Sequence, residues 1–310
     1  MIYFDYTSRA VSTQDKINYP IFPKPDIIAP MRILITGVRG QLGHALERAL
    51  QSKHDVSGVD LPECDITQPG EIERLVNVRP DLIIHTAAMT DVDGCARDPL
   101  AAYRSNALGT QNVALACQRA NAAMLYISTN EVFDGTRESP YYEWDARRAI
   151  NPYGESKLAG EKFVQAFLNR YYIVRTAWLY SPGRNNFVAR VLALAKEKGG
   201  LAYVDDEISN PTLVADLVNA ITRLVETQHF GVYHLVGEGV ASRYDWAVRI
   251  LQLGRMNHVS ITRAKLADFK RASTPPRNGA LTNFVAATAL GIKLRPWQEA
   301  LEEYFASVNQ

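Results

Sequence analysis

The sequence predicts an α/β fold: a doubly wound parallel sheet of Rossmann type with a smaller carboxyl-terminal lobe that binds substrate. Three observations predict it. From Met31 onward, short apolar runs alternate with stretches of helical period, the rhythm of successive βαβ units. The runs are rich in Ile, Val and Leu on both faces, which suits parallel strands covered by helices on each side. The first of them, RILIT, opens directly into the glycine-rich TGVRGQLG and then into a helical pattern.

Taken in order, the expected strands are RILIT, DVSGVD, DLIIHTAA, MLYIS and YYIVRTA. Between them QLGHALERALQ, PGEIERLVNV, DPLAAYRSNALGTQNVALACQRA and YGESKLAGEKFVQAFLN carry helical periodicity. After about residue 177 the rhythm loosens into NNFVARVLALAKEK, LAYVDDE, PTLVADLVNAITRLV, GVYHLV and RYDWAVRILQL. The expected division is therefore an NAD(P)-binding domain over 31–177 and, over 178–310, mainly the substrate lobe, which can also return elements to the first domain. Residues 1–30 stand apart. They hold four prolines, no sustained period and no basic-then-apolar signal layout. They are expected to be a dispensable tail, or the product of a start assigned too early, rather than an arm on a partner subunit.

Composition excludes several function classes. The chain has 310 residues, 47% hydrophobic and 22% charged, with a net charge of +1, so neither nucleic acid nor an anionic membrane is an expected partner. No apolar run approaches the roughly 18 residues of a spanning helix. Cys64, Cys95 and Cys117 form no CxxC or metal-like spacing, and the six histidines form no ligand pattern. The thiols read as reduced and buried in a cytoplasmic protein, with no metal site.

Gly37, Gly40 and Gly43 follow a strand and open a helix. In that setting backbone approaches a pyrophosphate closely and the helix amino terminus favours the anion. The spacing is GxxGxxG rather than GxGxxG. Thr36, Arg39, Gln41 and Leu42 complete this candidate cofactor loop. Asp60, at the end of the second strand, can accept hydrogen bonds from the adenosine ribose of NADH; Arg39 can pair with the extra phosphate of NADPH. Either cofactor fits the sequence. Asp65 and Ile66 are expected by the adenine, and Ala87 and Ala88 by the ribose and phosphates.

Downstream, Tyr153 and Lys157 stand four residues apart in INPYGESKLAGE, so they share a helix face. An ordinary tyrosine titrates near ~10. A lysine beside it is expected to favour the ionised phenol and make it a useful acid-base group.

With TGVRGQLG, RPDLIIHTAAMTDVD, NALGTQNVA, ISTNEVFDG, NPYGESKLAGE, VRTAWLYSPGRNNF, SNPT, GVYHLVGEG and PPRNGAL, the chain resembles the extended short-chain dehydrogenase/reductase superfamily. Within it, the pattern is most similar to the dTDP-4-dehydrorhamnose reductases, from about Met31 to the end. The resemblance implies NADPH- or NADH-dependent reduction of the 4-keto group of a nucleotide 6-deoxysugar. Tyr153 would donate the proton, Lys157 would bind the nicotinamide ribose and lower the phenol's pKa, and Thr129, with Ser128, would orient the carbonyl oxygen. Asn106 would support the site from a helix. Asn130, Glu131, Trp178, Asn186, Pro211, Thr212 and Arg277 would line the nucleotide-sugar cleft, Arg277 as a phosphate clamp.

The chain departs from the reductase pattern at Glu131, where a tyrosine is usual. A Thr-x-Glu at this point is similar to nucleotide-sugar 4,6-dehydratases, although Asn130, an amide, cannot serve as their acid. A non-catalytic alternative is similarity to the beta subunit of methionine adenosyltransferase; the intact Thr129, Tyr153 and Lys157 argue against it. The resemblance allows a homodimer. Family reductases can dimerise through a metal-bridged carboxylate near the first helix, but Ala45 stands where a glutamate would be, so no such metal is expected.

Overall fold

The computed structural model describes residues 29–308. The expectation for residues 1–30 lies outside these, apart from Ala29 and Pro30, which are exposed. All five strands expected in the first half form: β1 (Arg32–Thr36), β2 (Asp55–Val59), β3 (Leu82–His85), β4 (Ala123–Thr129) and β5 (Tyr171–Thr176). Between them run α1 (Gln41–Leu50), α2 (Glu71–Asn77), α3 (Val92–Arg97), α4 (Pro99–Tyr103), α5 (Gly109–Ala120) and α6 (Pro152–Phe167). The long pattern from Asp98 to Ala120 is not one helix. A π-helical turn, Arg104–Leu108, separates α4 from α5, and it carries the buried Asn106 toward the site.

The rest of the chain forms β6 (Leu179–Tyr180), α7 (Phe187–Glu197), β7 (Gly200–Val204), β8 (Ile208–Ser209), β9 (Thr212–Leu213), α8 (Val214–Val225), β10 (Gly231–His234), β11 (Ala241–Ser242), α9 (Arg243–Leu253), β12 (Ser260–Ala264), α10 (Phe284–Leu290) and α11 (Trp297–Val308). Two of these return to the first half. β10 pairs in parallel with β5, giving a six-stranded sheet ordered β10-β5-β4-β3-β1-β2. α8 lies against α1.

Alternate strand residues fill two cores, as the two-residue period of a strand requires. Ile33, Ile35, Ile84, Leu125 and Val174 face one side with α1 and α8 residues such as Leu46, Leu217 and Ile221. Leu34, Ile83, Met124 and Ile173 face the other with Leu75, Val113 and Val164. A separate core joins α7, α9 and α11 through Val188, Val191, Trp246, Ile250 and Leu301. The sheet order reverses between β1 and β3, which opens a crevice at their carboxyl ends. The glycine loop and Thr86–Ala88 lie there.

Candidate active site

The glycine loop is shaped by close backbone contact. Gly37 has φ +77°, and a Cβ there would stand 2.5 Å from the Ala87 amide nitrogen. A Cβ on Gly43 would stand 2.3 Å from the Gly37 carbonyl oxygen. Side chains at either position would push the loop off the sheet. Gly40 is the residue that enters α1, in extended conformation and with no side-chain cap, so the amino end of α1 is left to face the crevice. That is the arrangement a pyrophosphate needs, and the loop fits a dinucleotide.

Several predicted cofactor residues are turned elsewhere. Thr36 is fully buried and its hydroxyl pairs with His85 Nδ1 at 2.6 Å; it braces the sheet beneath the loop. Arg39 and Asp60, expected to pull toward different cofactors, form one cluster. The Arg39 amide donates to Asp60 Oδ2 at 2.8 Å, Leu61 donates to Oδ1 at 2.8 Å, and the guanidinium meets Glu63 at 2.6 Å. The Asp60 carboxylate thus anchors the glycine loop. Asp65 accepts both the amide and hydroxyl of Thr67 at 3.0 and 2.8 Å, so its side chain is closed on its own turn. Ile66 is buried in the core. Gln41, by contrast, reaches across, its Oε1 accepting from Ser181 Oγ at 3.1 Å.

A cavity of about 380 Å³ runs from Gly40–Gly43 past Ala88 to Thr129, Tyr153, Lys157 and Trp178. β4 delivers Ser128 and Thr129, whose side chains alternate. Ser128 borders the cavity too, but its hydroxyl is engaged, Oγ donating to the buried Glu161 at 2.6 Å. Glu161 also takes Arg175 Nε at 2.8 Å, Nη2 at 2.9 Å and Arg147 at 2.9 Å. Burial would raise the Glu161 carboxyl, but the Arg175 guanidinium and the other donors hold it below the usual range. Thr129 faces the cavity, donates to Asn130 Oδ1 at 3.2 Å and accepts from the Glu131 amide at 3.2 Å.

α6 delivers Tyr153 and Lys157. It begins where it does because Asn151 caps it, Oδ1 accepting from the Gly154 amide at 2.8 Å, with Pro152 in the first turn. Burial pushes the Tyr153 phenol well above its ordinary value, the Glu131 carboxyl adds to this, and the Thr129 hydroxyl opposes it. Burial also pushes Lys157 down to about 7, against the attraction of Glu161. Its Nζ lies 4.2 Å from the Tyr126 ring centroid. The expected lowering of the phenol by Lys157 is therefore absent in the protein by itself. Both groups are buried, and desolvation penalises each charged form. Asn106 holds the frame: it accepts from the Met89 amide at 2.7 Å and donates to Met89 O and Ser156 Oγ, both at 3.0 Å. It is a support and is not on the cavity wall.

On the substrate side the predictions divide. Asn130 and Glu131 line the cavity, Asn130 donating to Ser209 Oγ at 3.2 Å. Trp178 lines it too, with φ +43°, a strained region for a bulky residue. Its ring stacks on Trp246 at 5.5 Å and carries the Arg243 guanidinium at 3.6 Å. Asn186 caps α7, accepting from Ala189 at 3.1 Å and donating to Ser181 O at 2.7 Å, and also borders the second, larger cavity. Pro211 and Thr212 are buried behind the wall, Thr212 accepting from the Gly237 amide at 3.1 Å. Arg277 is 74% exposed, paired with Asp206 at 3.2 Å, and borders neither cavity. A phosphate clamp falls more naturally to Arg243. It borders both the first cavity and a second, of about 770 Å³, walled by Phe187, Arg190, Tyr203, Lys270 and Arg271.

Sequence reasoning missed Arg243 and Asn151. An asparagine before a proline at a helix start was a readable signal for Asn151. Nothing in RYDWAVRILQL marks Arg243, because its role comes from where α9 lands. A hollow of about 780 Å³ at the amino ends of the strands, by Asp81, Arg170 and Glu226, gathers none of the expected residues. Among the described residues, no helix is long and apolar enough to cross a membrane.

Residues 31–310 match the family described as the RmlD substrate binding domain. A dTDP-4-dehydrorhamnose reductase of Aggregatibacter actinomycetemcomitans is 34% identical over 285 residues, covering 87% of this chain and 97% of that protein. The crystal structure of a Clostridium acetobutylicum dTDP-4-dehydrorhamnose reductase superposes with a TM-score of 0.87 at 36% identity, covering 90% of this chain and 100% of the other. That of the Bacillus anthracis enzyme in complex with NADP gives 0.86 at 37% identity, covering 90% and 99%.

Proposed function

The chain belongs to the RmlD substrate binding domain family, and on that premise we propose that it is an NADPH-dependent dTDP-4-dehydrorhamnose reductase. In this reading it converts dTDP-4-dehydro-L-rhamnose to dTDP-L-rhamnose. The observation that carries the reading is one cavity that begins at the amino end of α1 and ends on the Thr129 hydroxyl, the Tyr153 phenol and Lys157. The nicotinamide, when bound, supplies the hydride to the sugar's 4-keto carbon.

The chain's own groups do the rest. The α1 amino terminus, the Gly37–Gly43 backbone and Ala88 would hold the dinucleotide, and Arg39 would exchange Glu63 for a 2′-phosphate. Thr129 donates to the carbonyl oxygen and orients it. Tyr153, which keeps its proton because it is buried, hands that proton to the same oxygen as charge develops there. Lys157, one turn along α6, would hold the ribose and, as an ammonium, stabilise the phenolate that Tyr153 becomes until a proton from solvent restores it. Arg243 and the basic, aromatic second cavity suit a diphosphate and a base, since a planar fork matches phosphate geometry. Asn130 cannot titrate, which removes the acid that a dehydration would need beside Glu131.

The test is incubation of the full chain with a dTDP-4-dehydro-6-deoxy-L-sugar and NADPH. We expect stoichiometric loss of nicotinamide absorbance and one reduced sugar formed per cofactor. Dehydration of dTDP-glucose without net cofactor oxidation would overturn the assignment.

A further inference from the structure

The site holds one carboxyl that the reduction does not use. Glu131 sits on the short helical turn Asn130–Val132 after β4, packed tightly on the first turn of α6: a Cβ on Gly154 would stand 2.1 Å from the Glu131 carbonyl oxygen. Its Oε2 accepts from Asn151 Nδ2 at 2.6 Å, so the α6 cap and the carboxyl are one unit. Oε1 has no protein hydrogen bond among the described residues, and the side chain lines the cavity with Thr129 and Tyr153.

The charges around it are already matched. Glu207 follows β7, Arg243 opens α9, and Arg271 comes from the segment between β12 and α10; Asp93 of α3 completes the group. Arg243 Nε bonds Glu207 Oε1 at 2.9 Å, while Arg271 reaches Glu207 Oε2 at 3.4 Å and Asp93 Oδ1 at 3.7 Å. Two cations thus face two anions, and Glu131 is the odd charge. Of the other titratable groups on this side, Tyr153 of α6 and Cys95 of α3 are raised by burial and stay neutral, and Lys157 of α6, on the same cavity, is lowered by burial to about 7.

We infer that Glu131 is a specificity-determining residue that meets the sugar as a neutral carboxylic acid, its Oε1 edge hydrogen-bonded to a sugar oxygen at the reacting end. The inference rests on the reductase reading. A carboxylic acid both donates and accepts, whereas a carboxylate only accepts. Burial, with Glu207 next, pushes the carboxyl up to about 7 against Asn151, Arg243 and Arg271. A diphosphate entering the same cleft adds negative charge and favours the acid further. The complex then holds more proton than the free protein, so sugar-nucleotide affinity falls as pH rises above about 7.

Calorimetric titration of the NADP⁺-saturated full chain with dTDP-L-rhamnose, in buffers of different ionisation heat, tests this. The wild type should take up a measurable fraction of a proton on binding near pH 8 and bind several-fold more weakly there than near pH 6. Glu131→Gln should bind without proton uptake and without that pH dependence, and Glu131→Ala should weaken binding about tenfold, a lost polar contact of about 1.4 kcal/mol. A purely structural Glu131 would move stability but not proton linkage. Proton uptake undiminished in Glu131→Gln, or undiminished affinity in Glu131→Ala, overturns the inference alone. No binding to the wild type overturns it together with the reductase reading; linked binding without turnover overturns the reductase reading alone.

Discussion

A phenol buried beside Thr129 and pushed above its ordinary range keeps its proton until chemistry withdraws it. Tyr153→Phe removes that proton and little else. Turnover should fall at least about a hundredfold, while the NADPH dissociation constant, read by fluorescence titration, stays within about threefold. A comparable loss of cofactor binding would deny Tyr153 its role in the chemical step. Arg39 and Asp60 make a second residue-level case. Because the Asp60 carboxylate holds the Arg39 and Leu61 amides, Asp60→Ala should loosen the whole loop and weaken NADH and NADPH alike. Arg39→Ala should weaken NADPH selectively by about tenfold or more, the value of a charge-assisted contact of about 1.5–3 kcal/mol. Equal losses for both cofactors in Arg39→Ala would show that its guanidinium does not read the 2′ position. Ser128 shows why such roles need coordinates. It and Thr129 are equivalent in the string and both border the cavity, and only the fold ties the Ser128 hydroxyl to the buried Glu161.

At the scale of elements, α6 is the part whose placement matters most to the chemistry. Its first turn is pressed against the turn carrying Glu131, with no space for a side chain at Gly154. Gly154→Ala should cost about 1–3 kcal/mol from overpacking, read as a lowered denaturant midpoint, and should reduce turnover by shifting Tyr153. An unaltered midpoint with full activity would mean that the turn can yield. The π-helical turn Arg104–Leu108 is a second such device. The stretch from Asp98 to Ala120 reads as one helix because its small apolar residues, Ala101, Ala102, Ala107, Ala114 and Ala116, do not mark where a π-helical turn inserts its extra residue. Only the bonds from Asn106 to Met89 and Ser156 show what the irregularity is for.

In the whole molecule, the apparent boundary near residue 177 is crossed twice. α8 brings Leu217, Ile221 and Leu224 onto the face shared with α1, and β10 closes the edge of β5. A fragment of residues 31–177 would leave that face and that edge bare, so it should show no cooperative thermal unfolding and should aggregate. A sharp melting transition would show that the first half is self-sufficient. The sequence by itself determined the five strands of the first half and helices α1, α2 and α6, the glycine loop, and the Thr129, Tyr153 and Lys157 constellation. Those depend on period, on backbone crowding at glycine and on residues a few positions apart, all local quantities. The tertiary structure decided the rest: that Arg277 lies in solvent while Arg243 stands over Trp178, that Asn186 is a cap, that Thr212 is buried, and that Lys157 does not by itself acidify the phenol. Each of these turns on which distant segments meet and on how much water their meeting excludes. Neither is written in the spacing of residues along the chain.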